Sequence, residues 1–357
     1  MSETPEEPPA VFPGGGALSR SGREGGGRAG EGQGGGPLLC DTLARWITDP
    51  SALPPAPPDW SAETWSSFRE ASQVHGAAQL LWLRVRGLPA WSAAPIGLWL
   101  EDQFLSNGRR VARLQGEMAE ILQVFADADV PILPVKGAVL GATVYENPAA
   151  RPMADLDAFL REEHFPAGEE LLARIGYAKT FHGWKHARFA RPGSGKVVDF
   201  TREHPDNPRQ LEVHPRCRER ILDEVVDLTD RLWAGARRGE LFGIPAWLAG
   251  ADAAWLHLLI HATHHVMLNN SRFVQIVDLA RLLPRVSDPE KLVADVDARA
   301  TYPALALLER HFGLGGDLTA AVRPRVSPGF AAWADGLDLY SVCYLNPVPW
   351  KDGVKRG

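Results

Sequence analysis

The segment Asp155-Leu156-Asp157-Ala158-Phe159-Leu160 constrains this chain more than any other, because acidic and apolar side chains alternate along it. A strand sends alternate residues to opposite faces, so Leu156 and Ala158 turn to a core while Asp155 and Asp157 project together on the other side. Two carboxylates so placed repel each other unless a cation intervenes. Hard oxygen donors on one strand suit Mg2+, which also bridges to substrate phosphates. An Asp-x-Asp pair alone is weak evidence, since surface strands often carry two solvated acids, and its surroundings decide what it means.

Those surroundings are helical on both sides and β-rich between. Leu114, Met118, Ile121, Leu122 and Phe125 recur at helical spacing, with an exit expected at Ala126 to Asp129. Val130 to Val135 is a short β-branched run, and its Pro131 and Pro134 imply an edge strand. A helix is expected over Ala138 to Tyr145 and another over Glu162 to Ile175, closed by Gly176; further strands are expected at Tyr177 to Thr180, His186 to Ala190, Val197 to Thr201 and Gln210 to His214. From Leu222 onward the pattern reads as helical again, most clearly over Ala251 to Val266 and Phe273 to Leu283.

Composition bounds the rest. Residues 1–37 hold three Gly triplets among Pro, Ser, Glu and Arg with few large apolar side chains, so they cannot offset their ordering entropy by burial and are expected to be a disordered tail. The formal charge of −6 disfavours a surface built to neutralise a nucleic-acid backbone. Three widely spaced cysteines, with neither CxxC spacing nor an even count, indicate neither a disulfide framework nor a zinc ribbon. No basic leader precedes an apolar core and no apolar run is long enough for a membrane span, so a cytoplasmic protein without membrane contact is expected. The expected division is the tail, a helical lobe over 38–124, a mixed core over 125–216 and a C-terminal helical lobe over 217–357.

Lys136-Gly137 falls where a strand turns into a helix, a position whose free N–H groups and dipole can meet phosphate. Gly137 would permit close backbone approach and Lys136 would add a point charge, although a plain Gly-containing turn with a surface Lys reads the same way. Arg151, shortly before Asp155, is either another phosphate contact or a partner that fixes the acidic strand.

The order Lys136-Gly137-x-x-Leu140, Tyr145, Arg151-Pro152-Met153-x-Asp155-Leu156-Asp157, Gly176-Tyr177 and Glu212-Val213-His214 resembles the uncharacterised bacterial nucleotidyltransferase family of the polymerase-β-like superfamily, over about residues 110–285. The resemblance implies an α+β fold with a small mixed sheet, flanked by helical regions, that binds a nucleoside triphosphate and Mg2+ and transfers a nucleotidyl group to an acceptor. It implies Asp155, Asp157 and a third carboxylate as catalytic and metal-binding groups; Glu212 fits the third place best, with Asp199 its competitor. Lys136, Gly137 and Arg151 would face the triphosphate. The wider superfamily carries Gly-Ser where this chain has Lys136-Gly137.

A small molecule or peptide is the expected acceptor, in natural-product tailoring. A similarity to toxin nucleotidyltransferases of abortive-infection systems keeps RNA or protein as an alternative, and nucleic acid is the less favoured partner. A third reading is a nucleotide-binding module without turnover, against which the retained carboxylates count. His257, His261, His264 and His265 fall on one helix face, where histidines packed between two lobes are commoner than a zinc site.

Overall fold

The computed structural model describes residues 35–193, 204 and 206–343. The tail through residue 34, the strand expected at 197–201 and Asp199 lie outside the described residues. Helix α1 (Gly35–Thr48) begins before Leu38, with Pro37 tolerated in its first turn, and buries Leu39, Leu43 and Trp46. Then come α2 (Ala62–Val74), capped by the Ser61 hydroxyl on the Thr64 N–H, α3 (Ala78–Val85) and the short α4 (Pro89–Ser92).

Helix α5 (Pro95–Asp127) has 33 residues and joins two hydrophobic cores. Ile96, Leu100 and Phe104 in its first half enter a core shared with the other helices, while Leu114, Met118, Ile121 and Phe125 in its second half enter a core under the sheet. The sequence reading found only this second half, because Arg109-Arg110 and Asn107 interrupt the apolar spacing before it.

The sheet follows: β1 (Leu133–Val135), α6 (Gly137–Thr143), β2 (Leu156–Phe159), α7 (Phe165–Arg174), β3 (Ala178–His182), β4 (Ala187–Ala190) and β5 (Gln210–His214). Its order is β1-β2-β5-β4-β3, with β2 and β5 parallel and the other pairs antiparallel. β1 lies at an edge, which accommodates Pro134. Leu156 and Ala158 of β2 pack with Leu211, Val213 and Phe189 onto α5, and Phe159 joins the opposite, helical core. The sheet therefore separates the two cores, and the face carrying Asp157 and Phe159 looks toward the C-terminal helices.

The helical reading from Leu222 onward is corrected over the next segment. β6 (Arg218–Ile221) and β7 (Glu224–Asp227) form one hairpin, α8 (Thr229–Ala234) intervenes, and β8 (Arg237–Leu241) and β9 (Ile244–Leu248) form another. Each has a two-residue turn with positive φ, at Leu222 (54°) in the first and at Phe242 (57°) and Gly243 (79°) in the second. Short strands with mixed charge carry little period-two signal, and the turns decide the conformation.

Helix α9 (Ala251–Met267) is apolar nearly all round and buried, as expected of a core helix. α10 (Phe273–Leu282), α11 (Pro289–Ala294), α12 (Tyr302–Phe312), α13 (Gly316–Val322) and α14 (Pro328–Asp335) complete an α+β fold with helical flanks. Among the described residues no helix is long and apolar enough to cross a membrane.

Candidate active site

Lys136 links β1 to α6 with φ 54° and ψ −130°, a region that glycine occupies far more readily than a residue with a Cβ. Lys136 thus holds a conformation that a glycine would take more readily. Gly137 is needed for space. A Cβ there would meet the Arg151 guanidinium and lie 2.9 Å from Met153 Cγ. Arg151 is committed to α10: its Nη2 is 2.8 Å from Asp278 Oδ2, and its Nη1 donates to the Pro152 carbonyl at 3.1 Å. Tyr145 donates to the same Asp278 at 2.7 Å, and the Arg281 guanidinium covers the Tyr145 ring at 4.4 Å.

Two adjacent parallel strands bring the acidic groups together, and the neighbouring edge strand brings Lys136 beside them. Asp157 is the register partner of Val135 on β1 and of Glu212 on β5, so Lys136, Asp157 and Glu212 follow from one row of the sheet. Asp157 Oδ1 accepts from Lys136 Nζ at 2.7 Å and lies 3.1 Å from His214 Nε2. Glu212 Oε1 lies 3.3 Å from Arg188 Nη2 and 3.5 Å from His186 Nε2. Asp155, just before β2, is half-buried.

The electrostatics follow from this crowding. Burial, then the charges of Asp157 and Glu212, push the Asp155 carboxyl up to about 7. Burial also works to raise Asp157, but the Lys136 ammonium and the His214 hydrogen bond outweigh it and hold that carboxyl below the usual range. Burial opposes the charged form of Lys136, and Asp157 outweighs it and raises the ammonium's pKa. Asp155, raised by its two acidic neighbours, marks a site whose repulsion a cation relieves. Among the described residues, Asp157, Glu212 and His214 each offer a ligand atom within 4.8 Å of the others. Of the three expected metal carboxylates two fall in this group, and Asp155 joins it through its charge.

The histidines of α9 do not converge on one point. His257 packs edge-on against Phe159 with ring centroids 5.4 Å apart. His261 Nδ1 lies 2.7 Å from Glu219 Oε1, His264 Nδ1 lies 2.7 Å from the Arg220 carbonyl, and His265 Nδ1 lies 3.2 Å from the Asn270 carbonyl. Glu219 is buried and also accepts from Lys185 at 2.7 Å. His257 thus joins the helical lobe to the sheet, and His261 and His264 join it to β6.

Sequence reasoning missed Arg110. From α5 its guanidinium donates to the carbonyls of Met153 (2.9 Å) and Ala154 (2.5 Å), just before Asp155, and of Asn207 (3.1 Å) and Pro208 (2.9 Å), just before β5. It ties both acidic strands at their entry. Its one signal was an arginine among apolar helical positions. His186 and Arg188 were missed too; both lie along the β4 segment, where the register partner of Arg188 is Glu212.

No curated protein matches the chain. The solution structure of the antibiotic-resistance factor ANT(2'')-Ia is similar at 13% identity and a TM-score of 0.35, over 60% of this chain and 96% of that one. The family model for an uncharacterised nucleotidyltransferase matches residues 61–312. That span holds the Lys136 turn, both acidic strands and the helices packed on them, and the chain belongs to this nucleotidyltransferase family.

Proposed function

We propose that this nucleotidyltransferase binds a nucleoside triphosphate with Mg2+ at Asp155, Asp157 and Glu212 and transfers the nucleotidyl group to a hydroxyl of a small-molecule or peptide acceptor. The observation that carries the reading is the pairing of Asp157 with Glu212 in register across parallel strands, with Asp155 near enough to be raised by both. The residues fit a divalent cation, because oxygen donors converge at a place where their charges otherwise oppose one another. Bound there, the cation would neutralise triphosphate oxygens and stabilise charge as pyrophosphate leaves.

The chain's own groups divide the remaining work. Lys136 brings a buried ammonium beside Asp157, a positive charge for the triphosphate's anionic oxygens. Gly137 lets Arg151 press on the turn from behind, and the Asp278 ion pair favours the role of Arg151 as a brace for this turn over that of a phosphate contact. Glu212 either completes the cation site or accepts the acceptor's hydroxyl proton. Catalysis on these lines is mostly positioning and charge stabilisation.

The test is mass spectrometry of candidate hydroxyl acceptors incubated with the protein, mixed nucleoside triphosphates and Mg2+. The expected result is a product heavier by one nucleoside monophosphate, with pyrophosphate released, and its loss in Asp157→Asn. Equal product from wild type and Asp157→Asn would remove the proposed site.

A further inference from the structure

The donor set around Asp157 is not made of oxygen alone. His214 lies two positions after Glu212 on β5, so both side chains project from one face of a central strand. Its imidazole is buried, and two rings fix its plane: Phe159 and His186, each with centroids 5.3 Å from it. Nε2 points into the acidic group, 3.1 Å from Asp157 Oδ1 and 3.9 Å from Glu212 Oε2. Two ligand atoms held about 2.1 Å from one octahedral ion lie about 3.0 Å apart when adjacent and about 4.2 Å apart when opposite. The two His214 spacings fall within that interval and the ligand atoms of all three groups lie within 4.8 Å of one another, so one ion can touch all three with small side-chain adjustments.

We propose that His214 is itself a ligand, through Nε2, of the cation held by Asp157 and Glu212, making this a mixed nitrogen and oxygen site that favours divalent transition metals over Mg2+. The inference rests on the cation reading above and adds the identity of a ligand to it. Imidazole nitrogen suits the later first-row divalent ions, whereas Mg2+ demands oxygen and gives up its waters reluctantly. Losing the nitrogen should therefore weaken a transition metal strongly and Mg2+ little. Asp157 Oδ1 is also held by Lys136 at 2.7 Å, so an entering ion meets a carboxylate already oriented by two neighbours.

Two measurements on the full chain test this. Calorimetric titration with Co2+ alone and with Mg2+ alone should show His214→Gln weakening Co2+ by about 10-fold or more, and Mg2+ by clearly less. Pulsed EPR of wild-type protein loaded with Mn2+ needs no variant, and should show a directly bound nitrogen. If Mn2+ binds without that nitrogen coupling, or if His214→Gln weakens Co2+ and Mg2+ equally, His214 merely orients Asp157 and the inference fails while the cation reading stands. Absence of binding by Co2+, Mn2+ and Mg2+ to wild type would overturn both.

Discussion

Lys136 Nζ lies 2.7 Å from Asp157 Oδ1, and both side chains are nearly closed to solvent, at 14% and 7% exposure. Removing one member of such a pair leaves the other as an uncompensated buried charge, which costs more than the pair contributes. Lys136→Met is expected to destabilise the cation-free protein by about 3–5 kcal/mol, measured by urea denaturation. Adding Asp157→Asn to it should recover most of that loss. A double variant as unstable as the sum of the two singles would show that the groups are not coupled.

Arg110 should matter to both fold and turnover, since it donates to backbone carbonyls at the entries to β2 and β5. Arg110→Met is expected to cost about 3 kcal/mol or more, through carbonyls left without their donor. At a temperature where the variant remains folded, turnover should still fall, because Asp155 and Glu212 lose their common anchor. Wild-type turnover in a folded variant would refute the positioning role.

Arg151 and Asp278 make a buried pair joining the Gly137 turn to α10, with Asp278 only 1% exposed. Arg151→Met is expected to lower the melting temperature markedly, by about 3–5 kcal/mol of stability, and Asp278→Leu in the same chain should restore part of it. A phosphate-binding arginine would behave otherwise. Its loss would weaken triphosphate affinity with little change in melting.

Buried histidines make stability depend on pH. Burial lowers His257 to about 3 and His265 to about 4, so both stay neutral in the folded protein while the unfolded chain binds protons near the ordinary value of about 6.5. Their contribution is present above that value and is lost as pH falls toward the folded values. Stability should therefore decline between about pH 7 and 5, and His257→Leu should reduce the slope by about 1 kcal/mol per pH unit below about pH 6. Denaturation midpoints taken across that range would check it, and an unchanged slope in the variant would contradict it.

Glu212→Gln is expected to reduce turnover by about 10²-fold or more while changing triphosphate affinity far less. Asp199→Asn serves as the comparison, since the sequence pattern alone admitted both acids. Steady-state kinetics of the two variants decide between them: an inactive Asp199→Asn beside an active, folded Glu212→Gln would move the third carboxylate to the earlier segment.

The strand at Asp155 to Leu160, the strand at Gln210 to His214, the edge position of the proline-bearing β1 and the helix around Leu114 to Phe125 were legible in the sequence. Each rests on a local rule, the period of side chains along a backbone or the missing N–H of proline, and such rules act within a few residues. Two hairpins between residues 218 and 248 escaped because their strands are short and their turns depend on positive φ at non-glycine residues, Leu222 and Phe242. The tertiary structure alone decided that β5 lies beside β2, that Arg151 reaches Asp278 and that Arg110 collects carbonyls from two distant segments. It also placed Lys136 in a glycine-like conformation against Asp157 and turned His214 toward that carboxylate. Those choices come from burial: a charge or a donor enclosed by the packed sheet and helices must find a partner, and the partner is whichever group the fold brings there, at any separation along the chain.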